Sequence, residues 1–94
     1  MTRGYRTPYE IEWARPARRA LARIPEKVAT AAIEFIYGPM ADNPHRVGHP
    51  LRFELEGSYS ASRGDFRIIY RISEEQRVVF ILTIEHRADV YRRR

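Results

Sequence analysis

The sequence has 94 residues, with 17 basic and 12 acidic side chains and no cysteine; one hydrophobic core fits, and disulfides or cysteine-ligated zinc are excluded. No apolar run approaches the roughly 20 residues that span a bilayer, so a soluble, cytoplasmic, single domain over residues 1–94 is expected. The net charge of +5 favours polyanionic partners, nucleic acid first. Only Lys27 among the basic residues is lysine; either guanidinium forks are wanted for two-point phosphate contacts, or a GC-rich genome simply spells its basic residues as arginine.

Tyr9, Ile11 and Trp13 alternate with Glu10 and Glu12, which predicts a half-buried first strand. Pro16 suits the first turn of a helix, and Ala17, Ala20, Leu21 and Ile24 then form one apolar stripe with arginines outside it. Pro25 opens a second helix, in which Val28, Ala31, Ala32 and Phe35 repeat the stripe up to a breaker at Gly38-Pro39. The two helices form a hairpin. Asp42 to Pro50 is rich in turn formers and reads as a loop.

Strand signals dominate the second half. Leu51, Phe53 and Leu55 alternate with Arg52 and Glu54; Gly57 interrupts; Tyr59 to Arg63 is a weaker strand; Gly64-Asp65 is a tight turn; Phe66 to Ser73 is a strand with Arg67 and Arg71 on one side. After a Ser-Glu-Glu-Gln turn, Val78 to Ile84 is apolar on both faces, as in a strand covered on both sides. Glu85 to Arg94 is polar and basic. The expected fold class is α+β: an N-terminal strand, a two-helix hairpin, then an antiparallel meander of three to four strands, with helices on one face and a cationic sheet surface on the other.

Four segments carry a resemblance to a known family: Arg19-Ala20-Leu21-Ala22-Arg23-Ile24-Pro25, Asn43 to Leu51, Leu55 to Tyr70 with its Gly64-Asp65-Phe66-Arg67 motif, and Ile84-Glu85-His86-Arg87-Ala88-Asp89-Val90-Tyr91. In this order and at these intervals the chain resembles the RelE family of bacterial toxins, in the group shared with ParE, over nearly its whole length. The resemblance implies a RelE-like fold and a metal-free, cofactor-free messenger-RNA endonuclease. It would act in the ribosomal 30S A site, be held inactive by a RelB-like antitoxin, and join that antitoxin in a hetero-oligomer on operator DNA. The ribose 2′-hydroxyl would attack in line and leave a 2′,3′-cyclic phosphate, with the protein supplying alignment, charge neutralisation and proton transfer.

Carried over by position, Arg67 matches the arginine at the scissile phosphate, Arg87 the second arginine after the final strand, Tyr91 a C-terminal tyrosine that stacks on a base or moves a proton, and Arg63 the Ser-x-Arg arginine. Ser58 and Ser60 stand where the best-known RelE members carry two lysines. His49 stands where the YoeB branch carries a glutamate near the nucleophile, and a neutral imidazole, with an ordinary pKa of about 6.5, is a competent base. His86 competes for that role, while His45 reads as a surface residue. Arg52, Arg71, His86 and Arg92 would line the RNA path. On plainer readings Arg67 is a sheet-surface arginine paired with Glu54 or Glu56, His49 is a solvated loop residue, Tyr91 packs the tail, and the terminal arginines only solubilise it. Two other functions fit the resemblance: a ParE-type poison of DNA gyrase, and a catalytically weak toxin acting mainly in antitoxin binding and operator regulation.

Overall fold

The computed structural model describes residues 8–86. The first strand, β1 (Glu10–Trp13), alternates as expected, with Ile11 and Trp13 half-buried and the two glutamates exposed. Helix α1 (Arg15–Arg23) carries Pro16 in its first turn, buries Ala17 completely and leaves its arginines in solvent. Extended backbone at Ile24, imposed by the following proline, separates it from α2 (Glu26–Phe35), which buries Ala32 and Phe35.

The breaker at Gly38-Pro39 does not end the helix. The chain runs on through a π-helical segment, Ile36–Met40, with Pro39 inside it. A proline in a regular α-helix costs about 3 kcal/mol through its missing N–H and its clash with the carbonyl four residues back; a π turn widens the backbone where that clash would fall. Ile36 and Met40 are fully buried on this segment. At about 1.5–3 kcal/mol each, their burial outweighs the cost of the irregular turn.

The next stretch corrects two further expectations. The Asp42–Pro50 loop contains a short helix, α3 (Pro44–Val47), and a two-residue strand, β2 (His49–Pro50). The strand expected at Leu51–Leu55 is absent: Phe53–Leu55 is a 3-10 turn. Its alternation has no surface to bury against, since Phe53 is 87% and Leu55 51% exposed. Positive φ at Phe53 (60°) and Gly57 (95°) curls the chain instead. The curl is closed by backbone bonds from Leu51 N–H to Ser58 O (2.8 Å) and from Ser58 N–H to Leu55 O (2.9 Å).

Strands β3 (Tyr59–Arg63), β4 (Phe66–Ser73) and β5 (Val78–His86) form the antiparallel meander. Among the described residues the sheet has five strands in the order β1-β5-β4-β3-β2, with β2 antiparallel to β3 and β1 parallel to β5. Period-two alternation reveals a strand but not its partner or direction, so the parallel edge was not legible. Between Ile69 and Tyr70 the β4–β5 register shifts by one: Ile69 faces Thr83 and Tyr70 faces Ile81, leaving Leu82 as the extra residue of a bulge. The core lies on the helix side, where Ile68, Tyr70, Val79, Ile81 and Ile84 meet Ala17, Ala32, Phe35, Ile36 and Met40.

Candidate nucleic-acid interface

Residues opposite one another on antiparallel strands project from the same face, so the register identifies what the helix-free side displays. One row across the sheet is Ser62, Arg67 and Glu85; the next is His49, Ser60, Ile69 and Thr83. Arg71 is the next β4 residue on this side, and Arg67 and Arg71 are both exposed. Arg67 donates from Nε (2.9 Å) and Nη2 (2.5 Å) to Oε1 of Glu85. Both bonds leave one edge of the guanidinium, so Nη1 is turned away from the carboxylate. The pair is half open to solvent, at 50% and 37% exposure, so it orients Arg67 more than it stabilises the fold.

Glu85 was not singled out from the sequence. An unbroken β4–β5 ladder counted from Ser73 and Val78 would set Ile84 opposite Arg67; the Leu82 bulge brings Glu85 there.

His49 lies exposed on the edge strand, in register with Ser60. The backbone before it is closely held. A Cβ on Gly48 would lie 2.4 Å from Tyr70 Oη and 2.6 Å from the Ser60 carbonyl oxygen, so only glycine lets the chain pass this closely. Tyr70 is fully buried and donates to the Pro44 carbonyl (2.7 Å); burial pushes its hydroxyl far above the ordinary tyrosine range. Tyr59 stacks on Tyr70 at 5.6 Å and meets His45 edge-on at 5.8 Å. His45 Nε2 is 2.5 Å from Glu74 Oε2, and Tyr9 donates to the same oxygen (2.7 Å). These bonds, His45 first and Tyr9 second, hold the Glu74 carboxyl below the usual carboxylate range. His45, read from the sequence as a surface residue, thus ties α3 to the β4–β5 turn across 29 positions. No local pattern could have signalled it.

Other expected site residues lie elsewhere. Arg63 faces Phe66, and His86 faces Phe66 from the other strand, so both are on the helix side of the sheet. Arg63 sits over the Phe35 ring at 4.5 Å and lines a groove of about 450 Å³ together with Lys27, Val28, Phe35 and Phe66. The structure therefore brings His49, Arg67 and Arg71 to one face and separates Arg63 and His86 from them. Arg52 is exposed in the curled loop. Arg71 approaches the same loop, with Nη2 2.7 Å from where a Gly57 Cβ would stand. Ser58 and Ser60 are buried. Arg87, Tyr91 and Arg92 lie outside the described residues. Among the described residues, no three His, Asp or Glu side chains gather as a metal site, and no helix is long and apolar enough to cross a membrane.

Residues 11–91 match the family profile described as the ParE toxin of type II toxin–antitoxin systems, parDE. The chain is 46% identical to toxin RelG of Mycobacterium tuberculosis over 86 residues, 92% of this chain and 99% of that one. It is 47% identical to toxin RelE of the same organism over 85 residues, 90% of this chain and 88% of that one. Among solved structures it is similar to the RelBE2 toxin–antitoxin complex of M. tuberculosis, with a TM-score of 0.85 and 44% identity over 88% of this chain and 95% of that one. The isolated Escherichia coli RelE toxin shares the fold, with a TM-score of 0.68 at 17% identity over 88% of this chain and 90% of that one.

Proposed function

Because this chain belongs to the RelE/ParE family of toxins from type II toxin–antitoxin systems, we propose that it arrests translation as a metal-independent endoribonuclease, cleaving messenger RNA in the ribosomal A site. The observation that carries this reading is the helix-free sheet face, on which Arg67, Arg71 and His49 stand together.

Cleavage needs no cofactor chemistry. The 2′-oxygen bonds to the adjacent phosphorus as its proton leaves, the P–O5′ bond breaks, and the 5′-oxygen of the departing nucleotide takes up a proton. The products are a 2′,3′-cyclic phosphate and a 5′-hydroxyl. Arg67 neutralises the charge that builds on the phosphorane, its Nη1 edge being turned away from Glu85. Arg71 and Arg52 grip flanking phosphates. His49 in its neutral form takes the 2′-proton. Arg87 serves as the second phosphate ligand, Tyr91 as a base-stacking or proton-transfer group, and Arg92 as an RNA contact; Arg63 and His86, on the helix side of the sheet, contact RNA away from the scissile bond. The buried Ser58 and Ser60 leave no amine at these two positions to act as base.

A RelB-like antitoxin neutralises the protein by laying an acidic or amphipathic segment over its basic surface. The RelBE2 relative was solved as a toxin–antitoxin complex, and the +5 charge speeds a complementary encounter. The toxin acts in the cytoplasm. A second reading, a gyrase poison, draws support from the ParE description of the matching profile. Expression without antitoxin separates the two: amino-acid incorporation should stop first, with messenger RNA cut. Early loss of thymidine incorporation, with intact messenger RNA, would reverse the assignment. The base is tested by single-turnover cleavage on programmed ribosomes from pH 5.5 to 8.5. The wild-type rate should rise with pH and level off, while His49→Gln should lose about 10²–10⁴-fold together with the rise. An unchanged rate and profile would eliminate His49.

A further inference from the structure

Among the described residues Phe53 is the most exposed large hydrophobic, at 87%, and its φ of 60° lies in the left-handed region that a bulky side chain rarely adopts. Strain of this kind persists only where the surroundings impose it, and it clusters at sites that use it. Here the imposition is visible. Leu55 N–H bonds to Arg52 O (3.2 Å), Glu56 N–H to Phe53 O (3.0 Å), Ser58 N–H to Leu55 O (2.9 Å) and Leu51 N–H to Ser58 O (2.8 Å). The ring is thus carried on a closed, internally bonded loop. Two arginines belong to the same loop region: Arg52 is the preceding, exposed residue, and Arg71 reaches the loop at Gly57. The loop joins β2, which bears His49, to β3, whose neighbour β4 bears Arg67.

From these observations we infer that Phe53 is a base-stacking residue, on which an unpaired nucleobase beside the scissile phosphate lies flat while Arg52 and Arg71 hold its phosphates. The inference rests on the ribonuclease reading and adds to it a specificity-determining contact. A protein partner needs a contiguous apolar patch of some hundreds of Å². Phe53, with half-exposed Leu55 two residues on, falls short of such a patch, and a nearly fully exposed ring on a loop that carries Arg52 and meets Arg71 at Gly57 matches instead the aromatic-plus-arginine platforms that bind single-stranded nucleic acid.

The test uses messenger RNA carrying 2-aminopurine at successive positions in and beside the A-site codon, with 2′-deoxy sugars that block cleavage, both on programmed ribosomes and as free single strands. Wild-type toxin should quench one position, and Phe53→Trp and Phe53→Tyr should retain the quench. Phe53→Leu keeps apolar bulk without a π face; it should lose the quench and bind about 5- to 100-fold more weakly. Phe53→Gly should do the same while its Tm rises, because glycine relieves the positive φ, so a folding defect cannot mimic the result. Unmodified messenger RNA is assayed in parallel. If wild type cleaves it but Phe53→Leu binds and quenches normally, the stacking inference falls and the nuclease reading stands. If wild type does not cleave but the quench still depends on Phe53, the nuclease reading falls alone. Loss of antitoxin binding by Phe53→Leu with unchanged RNA binding overturns the inference in favour of a protein contact.

Discussion

The two faces of the sheet solve different problems with the same strand. On β4, Phe66, Ile68 and Tyr70 are buried against the helices, whereas Arg67 and Arg71, interleaved with them, are exposed. The helix face is a packed interior in which each methylene counts. The open face has no such constraint, and its ion pair contributes little to stability. Stability and activity should therefore separate by face.

The largest expected effects fall on adjacent residues. Ile68→Ala, at a fully buried position, should cost about 2–5 kcal/mol of unfolding free energy by denaturant titration. Arg67→Ala should leave the melting temperature nearly unchanged while cleavage on programmed ribosomes falls about 10²–10³-fold. Similar destabilisation by both, or full activity in the arginine variant, would break the comparison. Gly48→Ala sharpens it where the faces meet: the new methyl is driven against Tyr70 Oη and the Ser60 carbonyl. We expect about 1–3 kcal/mol of destabilisation and a loss of activity from the displaced His49. Tyr70→Phe strips the Pro44 carbonyl of its donor and should cost about 1–2 kcal/mol, with no change in the pH at which cleavage levels off.

The smallest effect is a matter of pH. The Glu74 carboxyl is held below its ordinary value of 4.5 in the folded protein, by its bonds from His45 and then Tyr9. A depressed carboxyl contributes stability above the unfolded value and loses it as pH falls through the folded one. Glu74→Gln should thus lower the melting temperature slightly at neutral pH, and the gap to wild type should close as pH drops below about 4.5. A gap that widens toward acid would contradict the assigned hydrogen bonds.

Much of the scaffold was legible because its signals are local. The proline after Ile24, the stripes of α1 and α2 and the alternation of Phe66 to Ser73 each depend on neighbours a few residues away. The misreadings share one cause. Pro39 inside the π segment and the unformed strand at Leu51–Leu55 are places where burial, or its absence, overrode a correct local rule. In the candidate site, strand alternation set Arg67 and Arg71 on one face, whereas His49 was named only through the family resemblance. The His45–Glu74 tie could not, because it joins residues 29 apart.

By itself the sequence determined the cationic charge, the two helices, the meander and the presence of Arg67 on an exposed strand face, all consequences of composition and short-range periodicity. Which residues keep Arg67 company was decided only by the tertiary structure. Val78 to Ile84 is apolar on both faces, so its pattern hides the extra residue at Leu82. That single bulge turns every later side chain of β5 over, since strand side chains alternate with period two. It sets Glu85 beside Arg67 and His86 against Phe66 on the helix side.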